Sequence, residues 1–556
     1  MRTAVVLFVF ALAMRLLFWV ATPDRGGAWS VCLQGDAPLW QQLADKVATG
    51  QPDELLLLPL RPPGMQWLVT LLWNGDAATA WRLRLLFVVL GAAIAPLVWL
   101  LLRAHVAPAV AAFAAGLCAA CTNLIVLGSG LHSELPYLVL FLLTLFVQER
   151  LHARPAIWLA LTFGALHAAG CLLRAEHALT FVPLLALLAW QRAPRWHRST
   201  LVAASSFVLC LVPWHLVAWS SIDTYNVSGA LPLPDAGALT PRGLPWDRDA
   251  IAAVRQLPGF QQWPITHFVE DTVAVRGGHS VRAADLEIVR EAYGCWPEAL
   301  PHAFVCLYGG LNFFLGNSRE ADGGFSQQAL DRAPPLAGGD ARYPPGLRQV
   351  LPHDGQLALS YPPHLDLLVH GYRRGLAELW ADPIGGAARI GTKLWHGLEG
   401  AAGGLGSYAL PIGLSGVRRP VDMVTAEGAW PAIFRLGWLA VALAGLWPLR
   451  RERFLAPWLV FAATKVVVLM AFFGYARQGT LCIPLLSLGI AAAWHRWLLP
   501  RWPWTGRART AAVVAVVLLA LELVRCSGTG VSIDSSPVTG APPPTVDHSQ
   551  HRVSFR

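Results

Sequence analysis

The charged residues of this chain are few, and their positions carry most of its chemical information. Asp36 stands in Gly35-Asp36-Ala37-Pro38-Leu39-Trp40, just after a first apolar run, and Arg61-Pro62-Pro63-Gly64 follows downstream. His132-Ser133-Glu134 opens a later apolar run, Leu173-Arg174-Ala175-Glu176 separates two others, and Ala476-Arg477 lies near the end of the apolar part. A carboxylate at a membrane surface can take the proton of an attacking hydroxyl. A phosphate-bearing substrate close by raises its proton affinity and suits it to that task. Guanidinium groups match phosphate in shape and charge, so Arg61 and Arg477 are candidates to hold such a substrate.

Each of these residues also has a plainer reading. Asp36 sits where it would cap the helix that follows, and a capping carboxylate can still face a cavity. Arg61 could belong to a rigid proline turn before a short helix at 65–73. Glu134 could be a first-turn carboxylate favoured by the helix dipole, with His132 beside it as a polar cap. Arg174 and Glu176 form either packing glue or one wall of a site. Arg477 could be a surface arginine reaching for water. Asp45 falls on a polar helix face and reads as solvated. Arg15 and Lys465 lie inside apolar runs, where a charge must find a partner or a cavity.

The elements that position these residues are membrane helices. Of 556 residues, 55% are hydrophobic and only 14% are charged, with 25 Trp. A soluble chain of this length would carry more charge; a polytopic membrane protein accounts for the balance. The net charge of +9 comes from short basic clusters between apolar runs, which argues against a nucleic-acid partner. Runs long enough to cross a bilayer fall near 3–21, 79–102, 107–127, 132–149, 156–173, 176–190, 200–219, 429–447, 454–473, 479–497 and 510–526, about eleven helices in an all-α bundle. The first run resembles a signal peptide, but Arg15 inside it and the lack of a small-x-small cleavage site favour a retained helix.

Arg and Lys fix the orientation. Arg103, Arg150, Arg154, Arg192, Arg195, Arg198, Arg450, Arg451, Arg453, Arg496, Arg501, Arg507 and Arg509 all fall on one side if the N-terminus is cytoplasmic. The segments 22–78, 128–131, 220–428, 474–478 and 527–556 then face outward. The expected organisation is an N-terminal membrane module, 1–219, containing the 22–78 loop; an outer loop domain, 220–428; C-terminal membrane helices, 429–526; and a disordered tail, 527–556. Helical pieces are expected in the large loop at 282–293, 297–308 and 370–398. Within 22–78, the apolar residues Leu39, Trp40, Leu43, Ala44, Val47 and Ala48 form one stripe of a helix suited to the lipid interface, ended by Gly50. Among nine cysteines, those in apolar runs read as packing residues; Cys295 and Cys306 share the outer loop, where a disulfide between them stays open.

The ordered set of motifs resembles the GT-C superfamily of bacterial membrane glycosyltransferases, of the protein O-mannosyltransferase and aminoarabinose-transferase type. The resemblance rests on Gly35-Asp36 with Trp40, Arg61-Pro62-Pro63-Gly64, Trp81-Arg82-Leu83-Arg84, His132-Ser133-Glu134 and Leu173-Arg174-Ala175-Glu176. It continues through Asn312-Phe313-Phe314-Leu315-Gly316-Asn317 with Ala321 and Gly323, Asp382-Pro383 with Lys393-Leu394-Trp395, and Ala476-Arg477 with Pro484, so it spans about 1–500. The chain departs from the family at Arg477-Gln478-Gly479, where Arg-Tyr-Arg is common, and at Trp40, where Tyr is usual. The resemblance implies an inverting transferase in the bacterial inner membrane. It would use a polyprenyl-phosphate-linked sugar and an extracytoplasmic acceptor that is a lipid, a glycan or a protein. Asp36 maps to the catalytic first-loop carboxylate and Glu134 is a second acidic candidate. Arg61, Trp40, His132, Arg174, Glu176 and Arg477 are candidate substrate contacts. No cofactor is expected; some members of the superfamily use a metal, and the sequence offers no ligand cluster for one. Two other classes stay open: a multipass lipid or glycan transporter or flippase, which would usually show two repeat-related halves, and a non-catalytic envelope-assembly protein.

Overall fold

The computed structural model describes residues 2–21, 40, 58–72, 80–128, 130–191, 196–228, 265–269, 272–275, 279–282, 300–324, 326, 328–331, 362–402 and 429–497. These form a helical membrane bundle with one small antiparallel sheet. The N-terminal part contains α1 (Arg2–Ala21), α2 (Gly64–Leu72), α3 (Ala80–Leu102), α4 (Pro108–Ala120), α5 (Thr122–Leu127), α6 (Glu134–Ala153), α7 (Ile157–Leu173), α8 (Ala178–Trp190) and α9 (Trp196–Ser228). A three-stranded meander follows, β1 (Ile265–Val269), β2 (Thr272–Val275) and β3 (His279–Arg282). Then come α10 (Tyr308–Asn317), α11 (Pro362–Ala381), α12 (Pro383–Ala401), α13 (Ala429–Leu446), α14 (Leu455–Ala471), the single turn α15 (Ala476–Gly479) and α16 (Ile483–Trp497).

Among the described residues, five helical stretches are long and apolar enough to cross a membrane: Trp81–Leu102, Glu134–Ala153, Trp196–Asp223, Ala432–Leu449 and Ala476–Trp497. Four shorter apolar helices, among them Ile157–Leu173 and Leu455–Ala471, pack with them. The exposed apolar faces of α1, α9 and α13 (Val6, Leu209 and Ile433 among them) are what a lipid-facing surface requires. Between helices the contacts use small residues, as expected where lipid supplies no hydrophobic drive for association. A Cβ at Gly164 would strike the Ala203 carbonyl, and one at Gly489 would strike that of Ala442. Ser206 adds a hydrogen bond to the Leu161 carbonyl at 2.8 Å.

Most apolar runs became helices close to their expected bounds, with informative exceptions. The run 107–127 is broken at Cys121, whose backbone is extended (φ −64°, ψ 117°), into α4 and α5. The stretch 200–219 extends to Trp196–Ser228. The helix expected at 370–398 is two helices, because Pro383 cannot continue α11; Asp382 instead caps α12 through the Gly385 N–H at 2.9 Å. Residues 300–307 are not helical, against the expected 297–308 helix. Their carbonyls serve the membrane module instead: Trp219 donates to Ala303 at 3.0 Å, Trp214 to Val305 at 2.9 Å, and His215 is bonded to the Phe304 carbonyl. The Leu307 and Tyr308 N–H groups pair with the carbonyls of Pro59 and Leu60. Asp36, the amphipathic stripe apart from Trp40, most of 282–293, Cys295, the run 510–526 and the tail lie outside the described residues.

Candidate active site

Four separate segments bring charge to one end of the bundle. The first is the start of α6. Ser133 makes no side-chain cap, so Glu134 enters the first helical turn with its carboxylate almost fully buried. The second is the end of α7. Arg174 is extended (φ −148°, ψ 109°) and swings across to α6. Its Nη1 lies 2.7 Å from Glu134 Oε1 and donates to Ser133 Oγ at 3.0 Å. The helical turn Ala175–His177 then returns the chain, and Glu176 accepts from Arg174 Nε at 2.5 Å.

The third segment is α14, which carries Lys465 in its buried face. The ammonium lies 3.4 Å from Glu176 Oε1 and 4.3 Å from the ring centre of Tyr137. The fourth is α15, where Arg477 Nε lies 3.3 Å from the same Glu134 oxygen that meets Arg174. Arg477 also stacks over the Tyr475 ring at 4.7 Å. The two carboxylates are thus shared among Arg174, Lys465 and Arg477, in a setting where an unpaired charge is costly.

Arg61 stands beside this cluster. Its turn is pinned where Gly64 abuts the Leu172 carbonyl; an added Cβ would come within 2.7 Å. That contact holds the Arg61 turn against the end of α7, two residues before Arg174. The guanidinium lies 5.2 Å from the Tyr308 ring centre and 6.0 Å from that of buried Trp40. Cys306 senses both regions: burial pushes its thiol up to about 12, with Glu176 acting in the same direction and Arg61 against it. Burial also raises Tyr308, and Arg61 opposes that shift.

The structure therefore unites Glu134, Arg174, Glu176 and Arg477, and sets Arg61 and Trp40 next to them. His132 is buried just before α6, its ring against Gly130. The two intramembrane cations divide. Lys465 joins the cluster, whereas Arg15 bonds the carbonyls of Ala11 and Ala119 at 3.1 and 3.3 Å, deep among α1, α3 and α4. Sequence reasoning missed a buried chain beneath the cluster: Tyr137 Oη is 2.8 Å from His177 Nδ1, and His177 Nε2 is 2.7 Å from His167 Nδ1. Its signal was the spacing Glu134, Tyr137, Phe141 along one face of α6, easily taken for packing. Among the described residues no three His, Cys, Asp or Glu side chains converge as a metal ligand set.

Residues 60–219 match the model of the dolichyl-phosphate-mannose-protein mannosyltransferase family. That match spans 160 of the 556 residues, all within the N-terminal membrane helices and the turn before them. The matched segment holds Arg61, His132, Glu134, Arg174 and Glu176; Asp36 and Arg477 lie outside it. No curated protein sequence matches the chain. Two solved structures of ArnT from Cupriavidus metallidurans are similar to this chain at 14% identity, the apo form with a TM-score of 0.30 and the undecaprenyl-phosphate complex with 0.31. Each comparison covers 88% of this chain and 77% of the other.

Proposed function

We propose that this chain is a membrane glycosyltransferase of the GT-C superfamily that moves a sugar from a polyprenyl-phosphate donor to a hydroxyl-bearing acceptor, at the membrane face that carries the 220–428 loop. The acceptor is a lipid, a glycan or a protein. The observation that carries this reading is the convergence of Arg174 and Arg477 on Glu134, next to Lys465 and Arg61. The matched family's own description names a sugar on a polyprenyl phosphate, dolichyl-phosphate-mannose. Guanidinium groups match a phosphate in shape and charge.

The acceptor oxygen attacks the anomeric carbon, and the bond from that carbon to the phosphate oxygen breaks with inversion. The bonding electrons go to the phosphate, which gains a negative charge, and the hydroxyl proton goes to the Asp36 carboxylate. Fixed cations stabilise that developing charge without reorganising, the part given to Arg61, Arg174 and Arg477. Two guanidiniums share one Glu134 oxygen, and the part of Glu134 is to aim them. The arginines clustered in the short turns of one side, with the 220–428 segment on the other, support a reaction on the outer face of a bacterial inner membrane.

The test supplies membranes containing the protein, and membranes lacking it, with a panel of radiolabelled polyprenyl-phosphate sugars. Label appearing in a lipid, glycan or protein fraction only with the protein present supports the reading and names the donor. Absence of transfer from every donor, with folded protein shown by its melting transition, contradicts it.

A further inference from the structure

Among the described residues, Lys393 has no carboxylate in an ion pair with it. It lies on α12, outside the membrane-spanning helices, and its side chain is fully buried. Its ammonium donates to Asn317 Oδ1 at 2.8 Å and to the Met470 carbonyl at 3.2 Å. Asn317 in turn donates to the Ala471 carbonyl at 2.8 Å and to the Phe313 carbonyl at 2.7 Å. Met470 and Ala471 are the last residues of α14, whose final carbonyls have no helical partner. A cation at a helix C-terminus is also favoured by the dipole. Lys393 and Asn317 together therefore close the end of α14.

That end leads straight into the site. After Ala471 the chain turns at Phe472 (φ −111°, ψ −108°). The Gly474 N–H donates to the carbonyl of Gly323 at 2.8 Å. Gly323 has φ +92°, a conformation that glycine reaches without strain. Gly474 itself leaves no room for a Cβ against the Lys393 backbone. Three residues later Arg477 reaches Glu134. On the other side of α15, Gly479 and Ala476 touch the backbone of α12 at Gly397 and Gly400 with no room for a side chain. The segment 472–479 is thus clamped along α12, with Lys393 at its head.

We infer that Lys393, through Asn317 and the last carbonyls of α14, is a positioning residue that sets Arg477 for the substrate phosphate. The inference rests on the reading of Arg477 as a phosphate contact. It links the large loop to catalysis: α10 and α12, both from that loop, hold the cation that the membrane helices alone would leave at a free helix end.

The experiment measures equilibrium binding of undecaprenyl phosphate, as the probe, to purified full-length protein in detergent. Wild type, Lys393→Met, Arg477→Ala and the double variant are compared. Arg477→Ala is expected to weaken binding at least tenfold, Lys393→Met to weaken it comparably, and the double variant to bind no worse than Arg477→Ala alone. Non-additivity of this kind marks two residues acting through one contact. A residue holding the fold by other means would add its loss to that of Arg477. Unchanged binding by Lys393→Met, or losses that multiply in the double variant, would overturn the inference. Unchanged binding by Arg477→Ala would overturn both the inference and the phosphate reading beneath it. Should Lys393→Met not fold, Asn317→Asp enters the same cycle. It keeps the acceptor for the buried amine and loses the donor to Ala471, and wild-type binding by that variant would equally overturn the inference.

Discussion

At the scale of single residues, the site is a balance between groups that cannot stand alone. Glu134 is buried and shared by two guanidiniums, so Glu134→Gln leaves Arg174 and Arg477 short of counter-charge. Breaking a buried ion pair costs about 3–5 kcal/mol, and a lower melting temperature in detergent, together with loss of transfer, is expected. Glu134→Gln protein as stable as wild type would show that the pairs contribute nothing to the fold. Arg477→Ala should leave the protein folded and weaken donor use. Charged hydrogen bonds are worth about 1.5–3 kcal/mol, so the donor KM should rise roughly tenfold to a hundredfold, read from initial rates at varied donor. The sequence made Glu134, Arg174, Glu176 and Arg477 legible because charges inside an apolar chain are costly enough to need a reason. It did not reveal which carboxylate holds which cation, since those partners come from α6, α7, α14 and α15. Tyr137, His177 and His167 were illegible because aromatic and imidazole groups at helical spacing look the same whether they pack or bond.

At the scale of elements, the clamp along α12 makes two predictions. Gly400 touches the Ala476 carbonyl so closely that Gly400→Val must push the Arg477 turn away from Glu134. Transfer should fall at least tenfold while membrane insertion persists, checked by an activity assay on material matched for expression. Lys393 supplies the second. Burial pulls its amine down from the usual lysine value to about 8, with Arg389 acting in the same direction. Between about pH 8 and 10.5 the unfolded chain therefore binds a proton there that the folded protein does not, so this residue's contribution to stability rises with pH across that window. Melting temperatures measured from pH 7.5 to 10 should show wild type gaining relative to Lys393→Met, and a flat difference would contradict the burial of a charged amine. Element boundaries were legible where chemistry marks them. Asp382-Pro383 was on the page as a breaker inside 370–398, yet apolar periodicity on both sides hid it. Cys121 carries no breaking residue type, so the division of 107–127 into α4 and α5 had no local signal. The stretch 300–307 looked helical by composition, but Trp214, His215 and Trp219 of α9 claim its carbonyls.

At the scale of the whole molecule, the four cations come from three stretches far apart in sequence, at 61, 174 and 465–477, and the bundle brings them to one end. Class and membrane architecture could be read from composition and run length, because bilayer thickness fixes how long an apolar helix must be. The packing of 300–307 and α12 onto the membrane helices could not, because it depends on tertiary partners. The central claim is that this site drives transfer of a sugar from a polyprenyl phosphate to a hydroxyl activated by Asp36. Asp36 lies outside the described residues, so its part is open to direct contradiction. The most direct measurement compares wild type with Asp36→Asn, both shown to be inserted and folded, in membranes supplied with radiolabelled polyprenyl-phosphate sugars. The account predicts label moving into acceptor with wild type and a loss of at least a hundredfold with Asp36→Asn, the scale of a removed general base. Transfer by Asp36→Asn at the wild-type rate would contradict it.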